Sequence, residues 1–161
     1  ASWATEAGYK RWPAEKYAKL ADKIVEKFYT PIVLMGDKSE SELCSGIAQK
    51  MRQRPLEAHG HTTIMQFAAL LKKCSVAVLN DGGPLHVAVA AGVRTVSVFG
   101  PVDPGVYGPY SAENHSVVTK GLACQPCYRN FRMSDCRHIS CLNSLEVEEV
   151  FSKVEQVLSR Q

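Results

Sequence analysis

Apolar positions along the chain follow two different periods. "PAEKYAKLADKIVEKF" (13–28) spaces Tyr17, Leu20, Ile24 and Phe28 three or four apart, the stripe of a helix, and Pro13 suits its first turn. "PIVLMG" (31–36) is instead an unbroken apolar run ending in glycine, the mark of a buried strand. The alternation then continues. "SESELCSGIAQKMRQ" (39–53) predicts a helix and "LEAHGH" (56–61) a weak, strand-like link. Thr62 or Thr63 caps a helix over "IMQFAALLKKC" (64–74), and "SVAVLN" (75–80) is a strand. A further helix reaches Ala91 and is ended by Gly92, after which "RTVSVFG" (94–100) is again a strand. A Pro/Gly-rich loop runs to about Asn114, "HSVVT" (115–119) makes a short strand, and a cysteine-bearing loop covers 120–142. Asn143 opens a capping-box-like "NSLE" ahead of a last helix ending near Ser159.

Unbroken apolar strands alternating with helices imply a parallel sheet covered on both faces. The expected fold is therefore α/β, a Rossmann-like three-layer α/β/α domain over residues 1–161 with a Cys-rich loop, 120–142, inside it. No helical or solenoid repeat is visible. Nothing before Pro13 reads as a strand, although a Rossmann-like half normally begins with one. The chain is thus expected to start partway into its domain.

Composition adds exclusions. A length of 161 residues fits one domain with a sizeable core, and 45% hydrophobic with 22% charged residues fits a soluble globular protein. A net charge of +3 with no basic, aromatic-interleaved stripe argues against a nucleic-acid partner. Runs such as "FAALL" are too short to span a bilayer, and "ASWATEAGYKRW" has no apolar leader core, so a cytosolic chain is expected.

In open α/β sheets ligands bind where strands end and helices begin. Four such places carry chemistry: Asp37 and Glu40 after the first strand, Asp81, Gly82, Gly83 and His86 after "SVAVLN", Asp103 between Pro101 and Pro104, and Lys10 just before Trp12-Pro13. Gly82 and Gly83 leave backbone N–H groups bare at a helix start, an anion seat for which phosphate is the natural guest. Lys10 adds charge there and His86 a hydrogen bond. Asp81 repels phosphate, so it should face sugar hydroxyls or pin the turn, while Glu40 suits the two hydroxyls of a ribose. The pattern is neither the dinucleotide G-x-G-x-x-G nor a P-loop. A plain turn with a packed His86 accounts for these residues alone equally well. Asp103 reads as a turn former and Trp12 as core.

Six cysteines need a separate reading. Cys44 and Cys74 sit singly on predicted helices and read as buried thiols. Cys124, Cys127, Cys136 and Cys141 follow C-x2-C-x8-C-x4-C. Four thiolates in that order are competent to hold a structural zinc ion or an iron–sulfur cluster, with His138 able to replace one ligand; reduced, packed thiols are the alternative.

"KRWPAEKYAKLADKI", "LMGDKSESEL", "NDGGPLHVAVAAG", "SVFGPVDPGVYGPY" and "CQPCYRNFRMSDCRHISCL" together resemble glycosyltransferase family 9, the ADP-heptose:lipopolysaccharide heptosyltransferases. The resemblance spans nearly the whole chain. It implies the carboxyl-terminal, donor-binding half of a two-domain GT-B enzyme, beginning just after that half's first strand. It assigns Lys10 to the donor phosphates, Glu40 to the ribose, Thr62 and Thr63 to the nucleobase side, and Asp81, Gly83, Leu85 and His86 to the phosphate- and sugar-binding turn. Gly82 departs from the pattern, which usually has Thr or Ser there. The implied reaction is inverting transfer of heptose, or a related sugar, from ADP-heptose to the lipopolysaccharide core. It needs no metal cofactor, and its general base belongs to the amino-terminal domain, so this chain alone holds no catalytic residue and should bind without turnover. The whole enzyme is expected in the cytoplasm, at the inner face of the inner membrane. Two rival readings stand beside it: a nucleotide-sugar or dinucleotide-binding module that transfers nothing, and an interaction domain stapled by metal at the cysteine loop.

Overall fold

A computed structural model of the chain describes residues 7–111, 113–129, 132–133 and 135–159; the leading residues 1–6, read above for the lack of a leader core, lie outside this set. A 3-10 turn, Ala7–Lys10, leads into α1 (Ala14–Phe28). Then come β1 (Val33–Leu34), a second 3-10 turn Lys38–Glu40, α2 (Ser41–Lys50), β2 (Leu56–Glu57), α3 (Ile64–Leu71), β3 (Ala77–Asn80), α4 (Gly83–Ala90) and β4 (Thr95–Phe99). The chain closes with α5 (Pro104–Tyr107), β5 (His115–Thr119), β6 (Tyr128–Arg129), β7 (Arg132–Met133), α6 (Ser140–Asn143) and α7 (Val147–Leu158).

All pairing among the five main strands is parallel, in two separate groups: β1 with β2, and β3–β4–β5 in that order. Side chains alternate across the larger group as a pleat requires. Val76 and Val78, Val96 and Val98, and Val118 pack with α1 and α7, while Ala77, Leu79, Phe99 and Val117 face α3 and α4. Helices α1, α2 and α7 therefore cover one face and α3 and α4 the other, which is the expected three-layer α/β/α arrangement.

The main core lies under α1 and α7. Val150 and Val154 of α7 are fully buried against Val96 and Val98, with Leu20 and Ile24 of α1 beside them. Trp12 ties this layer to the sheet: its indole N–H donates to the Leu145 carbonyl at 3.0 Å, and its backbone N–H to Asn80 Oδ1 at 3.1 Å. The Tyr17 hydroxyl donates to the same Asn80 oxygen at 2.9 Å. Burial raises the Tyr17 pKa, keeping the donor proton in place.

Several expected boundaries shift for local reasons. Pro13 stands just before α1 as its N-cap residue rather than inside its first turn. The capping box that opens α7 is Glu146 with Glu149, not the segment from Asn143, because Asn143 closes the separate turn α6. The Pro/Gly loop holds α5, capped by Asp103 accepting from the Gly105 N–H at 2.8 Å, and the cysteine loop holds the antiparallel pair β6–β7. Cys74 lies just beyond α3 and is half-buried, where a buried helical position was expected. "PIVLMG" also differs: Ile32 to Met35 are only half-buried, where a fully buried strand was expected. A wide cavity on the far side of β1 from β2 leaves that strand uncovered.

Candidate functional site

Both strand groups end at one rim, bridged by the turn before α1. Lys10 Nζ lies 2.8 Å from Asp81 Oδ2 past the end of β3, and the adjacent Arg11 Nη2 lies 3.9 Å from Glu40 Oε1 past the end of β1. The first contact is an ion pair without hydrogen-bond alignment, since Asp81 Oδ2 has no well-directed donor. Asp81 is 4% exposed and Glu40 3%, so both carboxylates sit away from water beside a cation. Lys10 also lies 4.9 Å from the centre of the Tyr128 ring, and Tyr107 packs edge-on against that ring, so the ammonium is held by a charge and a π-face together.

Local sequence explains these placements. Asp37 and Glu40 form a reciprocal capping box on the turn Lys38–Glu40, with Glu40 Oε2 accepting the Asp37 N–H at 3.2 Å. Gly36 lets Glu40 fold back: a Cβ there would stand 3.0 Å from Glu40 Oε2 and 3.2 Å from Cys44 Sγ. Thr63 caps α3 through its own box with Gln66. Glu40, Thr62, Thr63 and Gly83 all line one cavity of about 1190 Å³. At the turn between β3 and α4, among the described residues, the N–H groups of Gly82 and Gly83 have no acceptor. They stand at the start of an eight-residue helix, at the positive end of its dipole.

The sequence-derived residues thus fall into two adjoining groups. Lys10 and Asp81 form one beside Tyr128, and Glu40, Thr62, Thr63 and Gly83 form the other along the cavity wall. His86 stands on α4 with its ring 6.1 Å from that of Tyr110, and its buried Nδ1 has no hydrogen-bond partner among the described residues. Leu85 joins by backbone only, because its side chain is fully buried with Phe99 and Val102 and its N–H donates to Gly82. Arg11, Asn80 and Tyr128 were not singled out from sequence. An arginine adjacent to the lysine of a strand-end turn was the available signal for the first. Nothing local marked the other two.

Gly82 has φ +156° and ψ −177°, a region essentially restricted to glycine. Its departure from the family's Thr or Ser is therefore a change of backbone as well as a lost hydroxyl. Gly82→Thr should lower stability by about 1–3 kcal/mol without raising affinity for ADP. Paired melting and titration curves check this; tighter binding at an unchanged melting temperature would contradict it.

The four clustered cysteines share a neighbourhood but not a ligand shell. Cys124 is exposed, Cys127 and Cys136 are half-buried, and Cys141 is buried in the main core. Among the described residues no three His, Cys, Asp or Glu side chains converge to hold a metal ion. Burial pushes the Cys141 thiol from 9.0 up to about 11, with the other three thiols adding to it. Burial, followed by the charge of Glu40, does the same to Cys44. Both groups hold their protons more tightly when folded, so their contribution to stability is complete below pH 9 and fades as pH rises toward 11. With iodoacetamide at pH 8, Cys124 should be alkylated first and Cys44 and Cys141 last, as peptide mapping would show. Early labelling of Cys141 would contradict its placement.

Residues 1–138 match the family model described as glycosyltransferase family 9 (heptosyltransferase). Lipooligosaccharide heptosyltransferase 2 of Campylobacter jejuni is 29% identical over 152 residues, which is 92% of this chain and 47% of that protein. The crystal structure of a family 9 glycosyl transferase from Veillonella parvula superposes with a TM-score of 0.82 at 26% identity, covering 98% of this chain and 44% of the other. An E. coli heptosyltransferase solved with ADP superposes with a TM-score of 0.71 at 22% identity, covering 97% of this chain and 42% of its own. The chain spans about half the length of the curated relatives it matches.

Proposed function

We propose that this chain, which belongs to glycosyltransferase family 9 (heptosyltransferase), is the donor-binding half of an inverting transferase that uses ADP-heptose or a related nucleotide sugar. The observation that carries the reading is the pair of partly exposed Lys10 and buried Asp81 set beside the open N–H groups of Gly82 and Gly83 at the start of α4. A diphosphate seated there meets a cation, two backbone donors and the positive end of a helix. The E. coli relative solved with ADP supports the same class of ligand.

The geometry suggests how the residues divide the work. In the free protein Asp81 holds Lys10 in place. When the donor arrives, the ammonium turns to the phosphates and Asp81 is released to accept sugar hydroxyls. An acceptor hydroxyl attacks the anomeric carbon, the bond from that carbon to the diphosphate oxygen breaks, and negative charge grows on the leaving group. Lys10 and the Gly82 and Gly83 N–H groups stabilise that charge where it develops. Glu40, with Thr62 and Thr63 along the cavity wall, receives the nucleoside end. The proton lost by the acceptor goes to a base outside this chain, on the amino-terminal half that also meets the lipopolysaccharide core sugar. Among the described residues no helix is long and apolar enough to cross a membrane; we propose that the whole enzyme works in the cytoplasm against the inner membrane's inner face.

A thermal-shift panel of ADP, UDP and NAD tests the reading. Stabilisation by ADP above the other two supports it; stabilisation by UDP or NAD but not ADP would replace it with a non-transferase binding module. Heptose transfer by the isolated chain would overturn the assignment of the base to the other half.

A further inference from the structure

The turn before α1 sends two consecutive cations to two different strand ends, and only one of the resulting pairs is closed. Lys10 Nζ lies 2.8 Å from Asp81 Oδ2, whereas Arg11 Nη2 stands 3.9 Å from Glu40 Oε1. A direct N–H···O bond needs about 2.9 Å, so this guanidinium and carboxylate attract each other without touching. Arg11 also carries an unused donor. Its Nε is sealed from solvent and, among the described residues, has no hydrogen-bond partner. A buried donor left open costs stability, so its presence calls for a reason.

Both groups are held where they stand. Trp12, the next residue after Arg11, is 2% exposed, and its backbone N–H is bonded to Asn80. The Arg11 backbone N–H donates to the Gly8 carbonyl at 3.4 Å. On the other side, Glu40 is 3% exposed and its Oε2 accepts the Asp37 N–H at 3.2 Å. That bond is half of the capping box on its own turn, and it leaves Oε1 as the oxygen turned to Arg11. Swinging Glu40 over to close the pair would break the box.

A fixed acceptor and a fixed donor at this separation suit a group that is both, and a hydroxyl is such a group. An oxygen about 2.8 Å from the carboxylate and about 2.9 Å from the guanidinium sees the two at an angle of roughly 90°, given their 3.9 Å separation. Its O–H can then point at Glu40 while a lone pair faces Arg11. A phosphate does not suit the place, because the buried carboxylate repels it, and an ammonium is repelled by Arg11. Arg11 and Glu40 line the same cavity as Thr62 and Thr63. Arg11 also follows Lys10 directly, so one turn reaches the diphosphate seat with its first cation and this cavity with its second.

We infer that Arg11 is a specificity residue for the donor's ribose. With Glu40 it brackets one ribose hydroxyl, Glu40 accepting the O–H and Arg11 donating to the oxygen, so a ribonucleotide binds in preference to its deoxy analogue. The inference rests on the donor-binding reading of this rim and adds to it a residue that reads the sugar.

Titration of ADP, 2′-deoxy-ADP and 3′-deoxy-ADP into the 161-residue chain and its Arg11→Ala and Arg11→Lys variants tests this. The parent should bind at least one deoxy nucleotide roughly 10- to 100-fold more weakly than ADP, since that analogue lacks a hydroxyl bonded to two charged groups. Arg11→Ala should weaken ADP while leaving the same analogue near its parent affinity, so the preference shrinks roughly tenfold. Arg11→Lys keeps the charge but not the planar fork and should shrink the preference by less. Each ratio is taken within one protein, so a loss of stability in a variant cancels from it. A purely structural Arg11 would lower the melting temperature and weaken all three nucleotides together. An unchanged ratio in either variant that folds therefore overturns the inference, as does a parent that binds ADP and both deoxy analogues alike. A folded parent that does not bind ADP overturns the donor-binding reading itself, and this inference with it.

Discussion

Trp12→Ala removes about 3–5 kcal/mol of stability, a large share of the 5–15 kcal/mol typical of a domain. The side chain is 2% exposed and packs in the largest core cluster with Leu20, Leu145 and Val150. Truncation leaves a cavity that α1 and α7 cannot close without breaking their own contacts, and it deletes the indole bond to Leu145. Trp12→Phe separates the two losses. It keeps most of the apolar contact, and the Leu145 carbonyl retains a second donor in Lys16 Nζ at 2.9 Å, so the cost should fall to about 1 kcal/mol, the low end for a lost hydrogen bond. Urea midpoints at unchanged slope measure both. Equal midpoints for the two variants would mean that the indole N–H, not the packing, is what matters.

Lys10→Ala should fail in two distinguishable ways. It strands the Asp81 carboxylate, 4% exposed, without its cation. Pairs fully sealed from water lose about 3–5 kcal/mol on such a deletion; Lys10 is itself 18% exposed, so water entering its place holds the cost to roughly 2–3 kcal/mol. It also removes a charge-assisted contact to the donor diphosphate, worth about 1.5–3 kcal/mol or roughly 10- to 100-fold in ADP affinity. The double variant Lys10→Ala with Asp81→Asn separates the effects, because neutralising the stranded partner should restore most of the stability while leaving ADP binding weak. Recovery of both would show that Lys10 serves the fold alone.

How much of this could be read from the residues varied with the range of the forces involved. Helices α1 and α7 and strands β3 and β4 were visible because their apolar spacing is local and repeats over several turns or residues. The junction at Gly82–Gly83 was visible for the same reason, since a strand, a soft turn and a helix start are all sequence-adjacent. Pairing across the chain was not. Asn80 joins Trp12 and Tyr17 from 68 and 63 residues away, and no local pattern marks an asparagine as a hub. The Tyr128 ring under Lys10 depends on how the cysteine loop folds back over the rim, which is set by tertiary contacts. Lys10 and Asp81 were each expected at the site, but their mutual pairing at 2.8 Å was not, and it gives Asp81 a cation to hold where repulsion of phosphate was expected. The half-exposed β1 is another instance. Its apolar run announced a strand correctly but not its burial, because how far a strand is covered is set by elements distant in sequence.

The proposed seat for the diphosphate of an adenine nucleotide is the rim formed by Lys10, Asp81 and the start of α4. Isothermal titration of ADP into the chain and into its Lys10→Ala, Asp81→Asn variant tests it most directly. One saturable site for ADP is expected on the unaltered chain, with binding weakened roughly 10- to 100-fold in a double variant that melts near the parent. Equal ADP affinity in the two proteins, or no saturable binding by a folded parent chain, would contradict it.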